Sequence, residues 1–308
     1  MSALQTVYNR CLANGSLFAV LAAAGFSLKA VFVKLAYGVG GVDAVTLLAM
    51  RMGLALPLFL VLGWLSRREG RQALTGLDAL RVLWLGFVGY YLSSLFDFYG
   101  LEYISAGLER LILFTYPTLV LLFQMIALRE RPTRRTLVAS AICYLGLGVA
   151  FVHDIGTLGL STEVIKGVAW VFASAVTYAL YYLGTGMMVG RLGSMRLAAL
   201  AGSTSAVMVL VHFAIRSEAA VLGQLPSAIW GYAALMALLS TVLPIYWMAL
   251  AIQRLGATHT AAIGNLGPLL TVLVSWALLS EAISVYQLAG LALVLFGVSR
   301  LKSSQAAK

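Results

Sequence analysis

The sequence predicts an all-α integral membrane protein with ten transmembrane helices, arranged as two inverted five-helix repeats. Three observations support this fold class. The 308 residues are 61% hydrophobic and only 10% charged, with a mean hydropathy of +0.94, whereas a soluble domain carries roughly 25% charged residues. The apolar residues form continuous runs that are long enough to cross a bilayer. The chain also aligns with itself at a nearly constant offset.

Ten apolar runs account for the predicted helices. A bilayer core of about 30 Å requires roughly 20 residues at a rise of 1.5 Å per residue. Because the runs are continuous rather than alternating, they predict helices and not the strands of a barrel. The predicted spans are residues 16–37, 44–65, 80–98, 108–128, 136–152, 165–189, 197–215, 228–251, 258–279 and 284–298.

Arginine and lysine in the connecting segments predict the orientation. If the N-terminus is cytoplasmic, fifteen basic residues fall on the cytoplasmic side and only Lys166 and Arg216 fall in the outer loops. The positive-inside rule therefore predicts a multi-pass protein of the plasma (inner) membrane with both termini in the cytoplasm. The net charge of +10 is spread over short runs between spans. It reflects membrane topology and gives no indication of a nucleic-acid partner.

An internal duplication divides the chain into residues 1–155 and 156–308. At an offset of 151, the end of the first half lies over the end of the second without a gap, and Pro117 falls on Pro268. Each half contains five predicted spans. Because that number is odd, the second half is predicted to be inserted upside down relative to the first, as in many secondary transporters.

Several short motifs resemble a known family. They are AMRM at 49–52, FTYP at 114–117 followed by RER at 129–131, and GP at 267–268 followed by LSE at 279–281. On these motifs the chain resembles the EamA-like branch of the drug/metabolite transporter superfamily over residues 16–301. The resemblance implies a ten-helix fold with a central cavity, and export, or less often uptake, of amino acids, nucleoside-like metabolites or drugs. Arg51 falls on Ser203 in the second half, so the halves are not equivalent in function.

Charged residues inside the predicted spans are the first candidates for a substrate site, because each costs about 2.5–3.5 kcal/mol at a helix centre. Lys29, Arg51 and Asp97 are the candidate substrate-binding residues. Asp97 is expected to pair with Lys29 or Lys34, or to carry a coupling proton. The excess positive charge predicts a substrate anion held by Lys29 and Arg51. As alternatives, Lys34 reaches the headgroups and Arg51 holds helices together through an ion pair.

Four further charged residues have a structural alternative. Glu109 and Arg110 are expected at the start of a helix, where a carboxylate suits the helix dipole. Glu130 and Glu281 fall at matching span ends and are interpreted as helix-end and loop contacts. The second-half positions aligned with Lys29, Glu109 and Arg110 are uncharged, which favours a functional role for these charges over a role in folding.

Aromatic residues form a second candidate surface. Tyr178, Tyr181 and Tyr182 have i, i+3, i+4 spacing and share one helix face. With Trp247 they are candidate substrate-binding residues, since amphipathic rings can hold a ligand with apolar and polar parts. Interfacial anchoring or simple packing is the alternative for these side chains.

The matching prolines, Pro117 and Pro268, are candidate gating or hinge residues, with fixed kinks as the alternative. The two cysteines, Cys11 and Cys143, lack metal-ligand spacing, and the sequence shows no phosphate loop or nucleophile–base signature. We therefore expect no metal, no cofactor and no catalytic residue, and hence no enzyme.

The predicted function is secondary transport of a small metabolite, an amino acid or a related compound, by alternating access. Export is the favoured direction, and protons are the candidate coupling ion. An uptake permease and a membrane-embedded enzyme are the alternatives. The expected partners are a small-molecule substrate and the lipid bilayer, and the chain is expected to act as a monomer or a homodimer.

Overall fold

The computed structural model describes residues 3–66, 73–128, 134–158, 161–217, 220–264, 266–281 and 283–305. The described residues form helices joined by short turns and contain no β-strand. Continuous apolar sequence favours this outcome, because a helix pairs its own backbone groups without water.

The first half of the chain contains seven α-helices in its described part. The third of them, which starts at Gly76, has a capping box: the side chains of Thr75 and Asp78 each accept a hydrogen bond from the other residue's backbone N–H. The helices are α1 (Ala3–Val39), α2 (Ala44–Ser66), α3 (Gly76–Leu85), α4 (Ser93–Tyr103), α5 (Ala106–Leu113), α6 (Tyr116–Leu128) and α7 (Arg134–Leu158), with a π-helical segment, Gly86–Leu92, joining α3 to α4.

The second half repeats much of this order. A second π-helical segment, Leu238–Val242, stands at the place that corresponds to the first one under the sequence offset. The helices are α8 (Thr162–Leu192), α9 (Ser194–Arg216), α10 (Val221–Gln224), α11 (Ser227–Ala237), α12 (Leu243–Gly264), α13 (Leu266–Leu279) and α14 (Val285–Gln305).

Within the described residues, six helices are long and apolar enough to cross a membrane, by length and composition. They correspond to the predicted spans one, two, three, six, seven and eight, and are Gly15–Val39, Ala44–Ser66, Gly76–Tyr103, Thr162–Thr185, Met195–Arg216 and Ser227–Met248. Shorter apolar helices, Ser140–Val149, Leu266–Leu279 and Val285–Gly297, correspond to the predicted spans five, nine and ten. The chain is therefore a multi-pass membrane protein, and the full set of ten spans stays a prediction.

Two predicted span boundaries differ from the structure. The predicted span 108–128 is divided between α5 and α6, because Phe114 and Thr115 form a turn. Conversely, α12 continues to Gly264 across the predicted gap between spans eight and nine. In the first half Ser105 caps the new helix by accepting a hydrogen bond from the Leu108 N–H. Its second-half counterpart is Gly256, and α12 continues through that position without a break.

The helices pack in a pattern that links the two halves. Helix α1 packs on α12 and α13, whereas α8 packs on α4, α5 and α6. Helix α2 packs on α9, and α7 on α14. The largest apolar core lies mainly between α1, α2, α4, α9 and α11. This arrangement encloses the buried charges described below.

The contact between α7 and α14 depends on small residues. A Cβ atom at Gly146 would lie 2.6 Å from the carbonyl oxygen of Gly290. Any larger residue at Gly146 would therefore push the two backbones apart, which is the usual reason for glycine where membrane helices cross closely.

Candidate functional site

A buried charge cluster, Lys29, Asp97, Glu109 and Arg110, lies where α1, α4 and α5 meet. The Nζ atom of Lys29 is 2.8 Å from Oδ2 of Asp97 and 3.8 Å from Oε1 of Glu109. Both carboxylate side chains are fully buried, whereas 15% of the Lys29 side chain remains exposed. The predicted pairing of Asp97 with Lys29 is therefore present, and Glu109 approaches the same ammonium group.

Arg110 completes the buried charge cluster and connects α5 to α1. Its Nη2 atom donates a 2.6 Å hydrogen bond to the carbonyl oxygen of Phe26, and its Nε atom lies 3.8 Å from Oε2 of Glu109. The cluster thus holds two cationic and two anionic side chains. The formal charge of the cluster is therefore balanced internally. Buried charges are tolerated when they are paired in this way.

Arg51 on α2 is buried beside this cluster, near enough to Asp97 to interact with it electrostatically. Its Nε atom donates a 2.8 Å hydrogen bond to Oγ1 of Thr241, and its guanidinium carbon lies 5.4 Å from the centre of the Phe98 ring. Only 5% of the residue is exposed. In the described part of the chain its Nη1 atom has no hydrogen-bond partner and no carboxylate lies within ion-pair distance. The expectation that an ion pair holds Arg51 is therefore not met in the part of the chain described here.

The two π-helical segments flank Arg51. Thr241, which accepts its hydrogen bond, belongs to the second segment, and Tyr90 of the first segment lies close enough to interact electrostatically with the guanidinium. A π-helical turn displaces the following side chains from the regular helical path and is frequent at functional sites. Here the two segments bring polar groups from both halves to one buried arginine.

Five tyrosines form a continuous aromatic surface next to these charges: Tyr90, Tyr116, Tyr178, Tyr181 and Tyr182. The ring centres of Tyr178 and Tyr182 lie 5.1 Å apart, and each ring centre lies 5.0 Å from that of Tyr116. The hydroxyl groups of Tyr90 and Tyr181 are hydrogen-bonded at 2.8 Å. The three tyrosines predicted on α8 are therefore brought together, and this tyrosine surface is extended by residues of the first half.

The other predicted site residues lie apart from this aromatic contact. Trp247 is half-buried on α12, and the described residues give it no ring contact with the tyrosine surface. Pro117 lies in the first turn of α6, and Pro268 in the first turn of α13. A proline in a first turn costs no helical hydrogen bond, so these positions coincide with helix starts rather than with kinks inside helices. The gating role stays a prediction.

Lys34 has a hydrogen-bond partner within the protein, and its alternative role at the headgroups stays a prediction. Its Nζ atom donates a 3.1 Å hydrogen bond to the carbonyl oxygen of Leu101, in the last turn of α4. A groove of about 430 Å³ opens beside it, between the ends of α1 and α13. Glu281 lies in the wall of this groove. Glu130, its counterpart in the sequence, lies outside the described residues.

Two contacts of the candidate site are not indicated by the sequence, that of Thr241 with Arg51 and that of Glu281 with the other half of the chain. Thr241 is one hydroxyl in an apolar run, and it lies in the second π-helical segment where it meets Arg51. Glu281 was interpreted as a helix-end contact, and it does accept hydrogen bonds at a helix end, from the N–H groups of Ala106 and Gly107. That helix, however, belongs to the other half of the chain. The aligned Pro and Glu landmarks gave no indication of this long-range contact.

Fold and site together define a polytopic helical membrane protein with a buried polar centre formed by residues from both halves of the chain. The sequence profile of the EamA-like transporter family matches the chain twice, over residues 13–152 and again over residues 165–301. The chain therefore belongs to the EamA-like transporter family and is a membrane transporter.

Two known relatives are similar to this chain over most of their length. The uncharacterized transporter YcbK of Bacillus subtilis (strain 168) is 28% identical over 297 residues, which cover 94% of this chain and 93% of the relative. The uncharacterized transporter YyaM of the same organism is 27% identical over 281 residues, or 89% of this chain and 90% of the relative. One solved crystal structure superposes with a TM-score of 0.65 at 17% identity, covering 96% of this chain and 98% of that one, which indicates a shared fold.

Proposed function

We propose that the protein is a secondary transporter that moves a small carboxylate-bearing metabolite, an amino acid or a related compound, across the plasma membrane. The observation that carries this proposal is the buried Nη1 atom of Arg51, which lacks a hydrogen-bond partner in the described residues. An arginine stays protonated in a protein, and a buried charge is normally paired. A substrate carboxylate would supply the missing partner through a charge-assisted hydrogen bond.

The surroundings of Arg51 support this choice of substrate. Lys29 is occupied by Asp97 at 2.8 Å, so Arg51 takes over the anion-binding role that the sequence had assigned to both cations. The tyrosine surface begins at Tyr90, within electrostatic reach of the guanidinium. Such a surface suits the apolar or mixed remainder of a small metabolite.

Alternating access between two inverted halves, residues 1–155 and 156–308, is the proposed mechanism. The helix neighbours support it, because exchanging the halves converts the most extensive helix–helix contacts into one another. Under that exchange, the packing of α1 on α12 becomes the packing of α8 on α4. The contact of α2 with α9 and the contact of α7 with α14 each convert into themselves, because the two helices of each pair are counterparts. Two such halves can rock around a site at their interface. Both termini are proposed to be cytoplasmic, from the distribution of Lys and Arg.

Proton coupling is proposed for the buried charge cluster. Asp97 and Glu109 are fully buried and share the ammonium group of Lys29. Two carboxylates this close to one lysine repel each other, and the arrival of one proton would relieve that repulsion. A proton taken up there on one side of the membrane and released on the other would provide the driving force. Export is the proposed direction, on the strength of the family relationship.

Flux into proteoliposomes tests the anion site. We expect Arg51→Gln to reduce flux of its carboxylate-bearing substrate by about 10- to 100-fold, the loss expected for a hydrogen bond to a charged group worth about 1.5–3 kcal/mol. Arg216→Gln removes the same charge from an exposed position at the end of α9 and should leave flux unchanged. The compounds tested for flux are radiolabelled amino acids, dicarboxylates and uncharged nucleosides. Unchanged carboxylate flux in Arg51→Gln would refute the assignment.

The same vesicles distinguish the alternatives. Under an imposed proton gradient, substrate that moves in the direction opposite to the protons indicates export. Substrate that moves in the same direction as the protons indicates uptake. Conversion of a compound without its movement across the membrane would identify a membrane-embedded enzyme instead.

A further inference from the structure

Helix α5 is a separate rigid piece between two breaks in the chain. Before it, Ile104 has φ −123° and ψ 165°, and Ser105 has φ −68° and ψ 156°, so both are extended. After it, Phe114 has φ −71° and ψ 3° and leads into a turn. All eight residues of α5 are buried. The helix can therefore shift as a unit only if its packing partners release it.

The first turn of α5 has a partner for every free backbone N–H group. The N–H groups of Ala106 and Gly107 donate to Oε1 and Oε2 of Glu281 at 3.1 and 3.4 Å. The Leu108 N–H donates to Oγ of Ser105 at 3.1 Å, and the first intrahelical bond runs from the Glu109 N–H to the carbonyl oxygen of Ser105 at 3.0 Å. The N–H groups of the first turn have no partner within the helix itself. Glu281 therefore accepts two of the three free N–H groups of residues 106–108, and its negative charge lies at the positive end of the helix dipole.

The carboxylate reaches α5 from the other half of the chain. Glu281 follows the end of α13 at Leu279, and the intervening Ser280 has φ 54°, a left-handed conformation that is uncommon for residues other than glycine. This turn directs Glu281 back across the interface between the halves. The groove of about 430 Å³ that Lys34 and Glu281 line opens at the same place, so the contact between the halves lies beside an opening on the protein surface.

The buried charge cluster depends on the same helix. Glu109 and Arg110 lie three and four residues after Ala106, which is about 4.5–6 Å along the helix axis. Because α5 is one short rigid unit, any shift of its first turn moves both side chains relative to Lys29 and to the carbonyl of Phe26. The contacts concerned are the 3.8 Å approach of Glu109 to Lys29 and the 2.6 Å hydrogen bond of Arg110.

We propose that Glu281 is a positioning residue that couples the interface between the halves to the buried charge cluster. While Glu281 caps α5, the helix is held in place and the cluster is closed. When the halves separate at this end, the cap is lost, α5 is released, and Glu109 and Arg110 leave their partners on α1. This inference rests on the proposed alternating access and gives it a specific contact that must break.

Hydrogen exchange tests the cap without a substrate. The segment 104–114 should exchange about 10- to 100-fold faster in Glu281→Ala, because two charge-assisted hydrogen bonds are lost. Glu281→Gln, which keeps one acceptor oxygen, should lie between Glu281→Ala and the wild type. Glu163→Gln removes an exposed carboxylate from the first turn of α8, where its contact is with Lys166 of the same helix, and should leave 104–114 unchanged.

Thiol labelling tests whether the cap acts on the cluster. Ser27 neighbours Phe26 and donates a 2.9 Å hydrogen bond to the carbonyl oxygen of Gly267 on α13. In a background with Cys11 and Cys143 replaced by alanine, Ser27→Cys should react slowly with a membrane-impermeant thiosulfonate. Adding Glu281→Ala should raise the labelling rate at least about tenfold, on the scale of the lost cap.

Two results would overturn the inference. Unchanged exchange of 104–114 in Glu281→Ala would show that the cap does not hold α5. Faster exchange with unchanged labelling of Ser27→Cys would show a local cap with no effect on the cluster. Neither measurement involves Arg51 or a substrate, so both outcomes are distinguishable from a failure of the proposed anion transport.

Discussion

Two ion pairs have nearly the same N···O distance but differ in burial, so a comparison of them isolates the effect of burial on stability. Lys29 Nζ lies 2.8 Å from Asp97, whose side chain is fully buried. Lys166 Nζ lies 2.9 Å from Glu163, and both of these side chains are more than half exposed. We predict that Lys29→Met destabilises the protein strongly, whereas Lys166→Met has no measurable effect. The contrast follows from solvent, because an exposed pair is screened and its partner is readily hydrated once it is alone.

The magnitude follows from what Lys29→Met leaves behind. Asp97 and Glu109 stay fully buried, and among the described residues Arg110 is the only cation left that lies within 4 Å of either carboxylate, at 3.8 Å from Glu109. Removing one partner of a buried pair costs about 3–5 kcal/mol, because an uncompensated charge is left in the interior. In the double variant Lys29→Met/Asp97→Asn that charge is absent as well. We expect it to recover about 2–3 kcal/mol of the loss, within the range of coupling energies between contacting residues.

Tryptophan fluorescence during a heating scan in detergent micelles provides the assay, with the six tryptophans of the chain as reporters. At about 2 °C per kcal/mol, the lower end of the range for large domains, Lys29→Met should melt about 6–10 °C below the wild type. The double variant should melt about 4–6 °C above the single one.

The reasoning about burial would be refuted by either of two results. A Lys29→Met protein that melts within 1 °C of the wild type, about half of what 1 kcal/mol produces, would show that the buried pair contributes no net stability. A double variant that melts below the single variant would show that Asp97 needs its charge for a reason other than Lys29.

The remaining predictions concern packing and the tyrosine surface. Gly146→Ala places a methyl group 2.6 Å from the Gly290 carbonyl oxygen and should cost about 1–3 kcal/mol in a denaturation experiment. Gly148→Ala meets nothing within 4 Å and should be neutral or stabilise the helix by up to about 1 kcal/mol. Tyr181→Phe removes the hydroxyl that contacts Tyr90 at 2.8 Å and should cost about 1 kcal/mol in the same assay, while a loss larger than 3 kcal/mol would contradict a single hydrogen bond.

The positions of the long helices could be predicted because span length and hydrophobicity are local properties of the chain. The break before α5 could not, since Ser105 differs from an ordinary loop serine only in the hydrogen bond that it accepts from Leu108. At the aligned Gly256 the helix α12 continues, so the two halves differ at this position in a way that apolar run length does not show.

The candidate site was predictable in its residue types and less so in its partners. A lysine and an aspartate inside apolar spans are costly enough that they must find each other, and Lys29 and Asp97 do. The environment of Arg51 depends on Thr241, which is 190 residues away in sequence and lies in a π-helical segment. A contact between residues this far apart leaves no periodic signal in the sequence.

The two proposed repeats align in sequence but carry different side chains at the candidate site. Under the offset that aligns them, Lys29 falls on Tyr181, and in the structure the first belongs to the buried charge cluster while the second belongs to the tyrosine surface. A symmetric frame suits rocking between two states, because both states are built from equivalent contacts. An asymmetric lining suits the proposed substrate, because a carboxylate-bearing metabolite has a charged end and a mixed remainder. If transport depends on this division, Arg51 between the two π-helical segments is the point where the two surfaces meet.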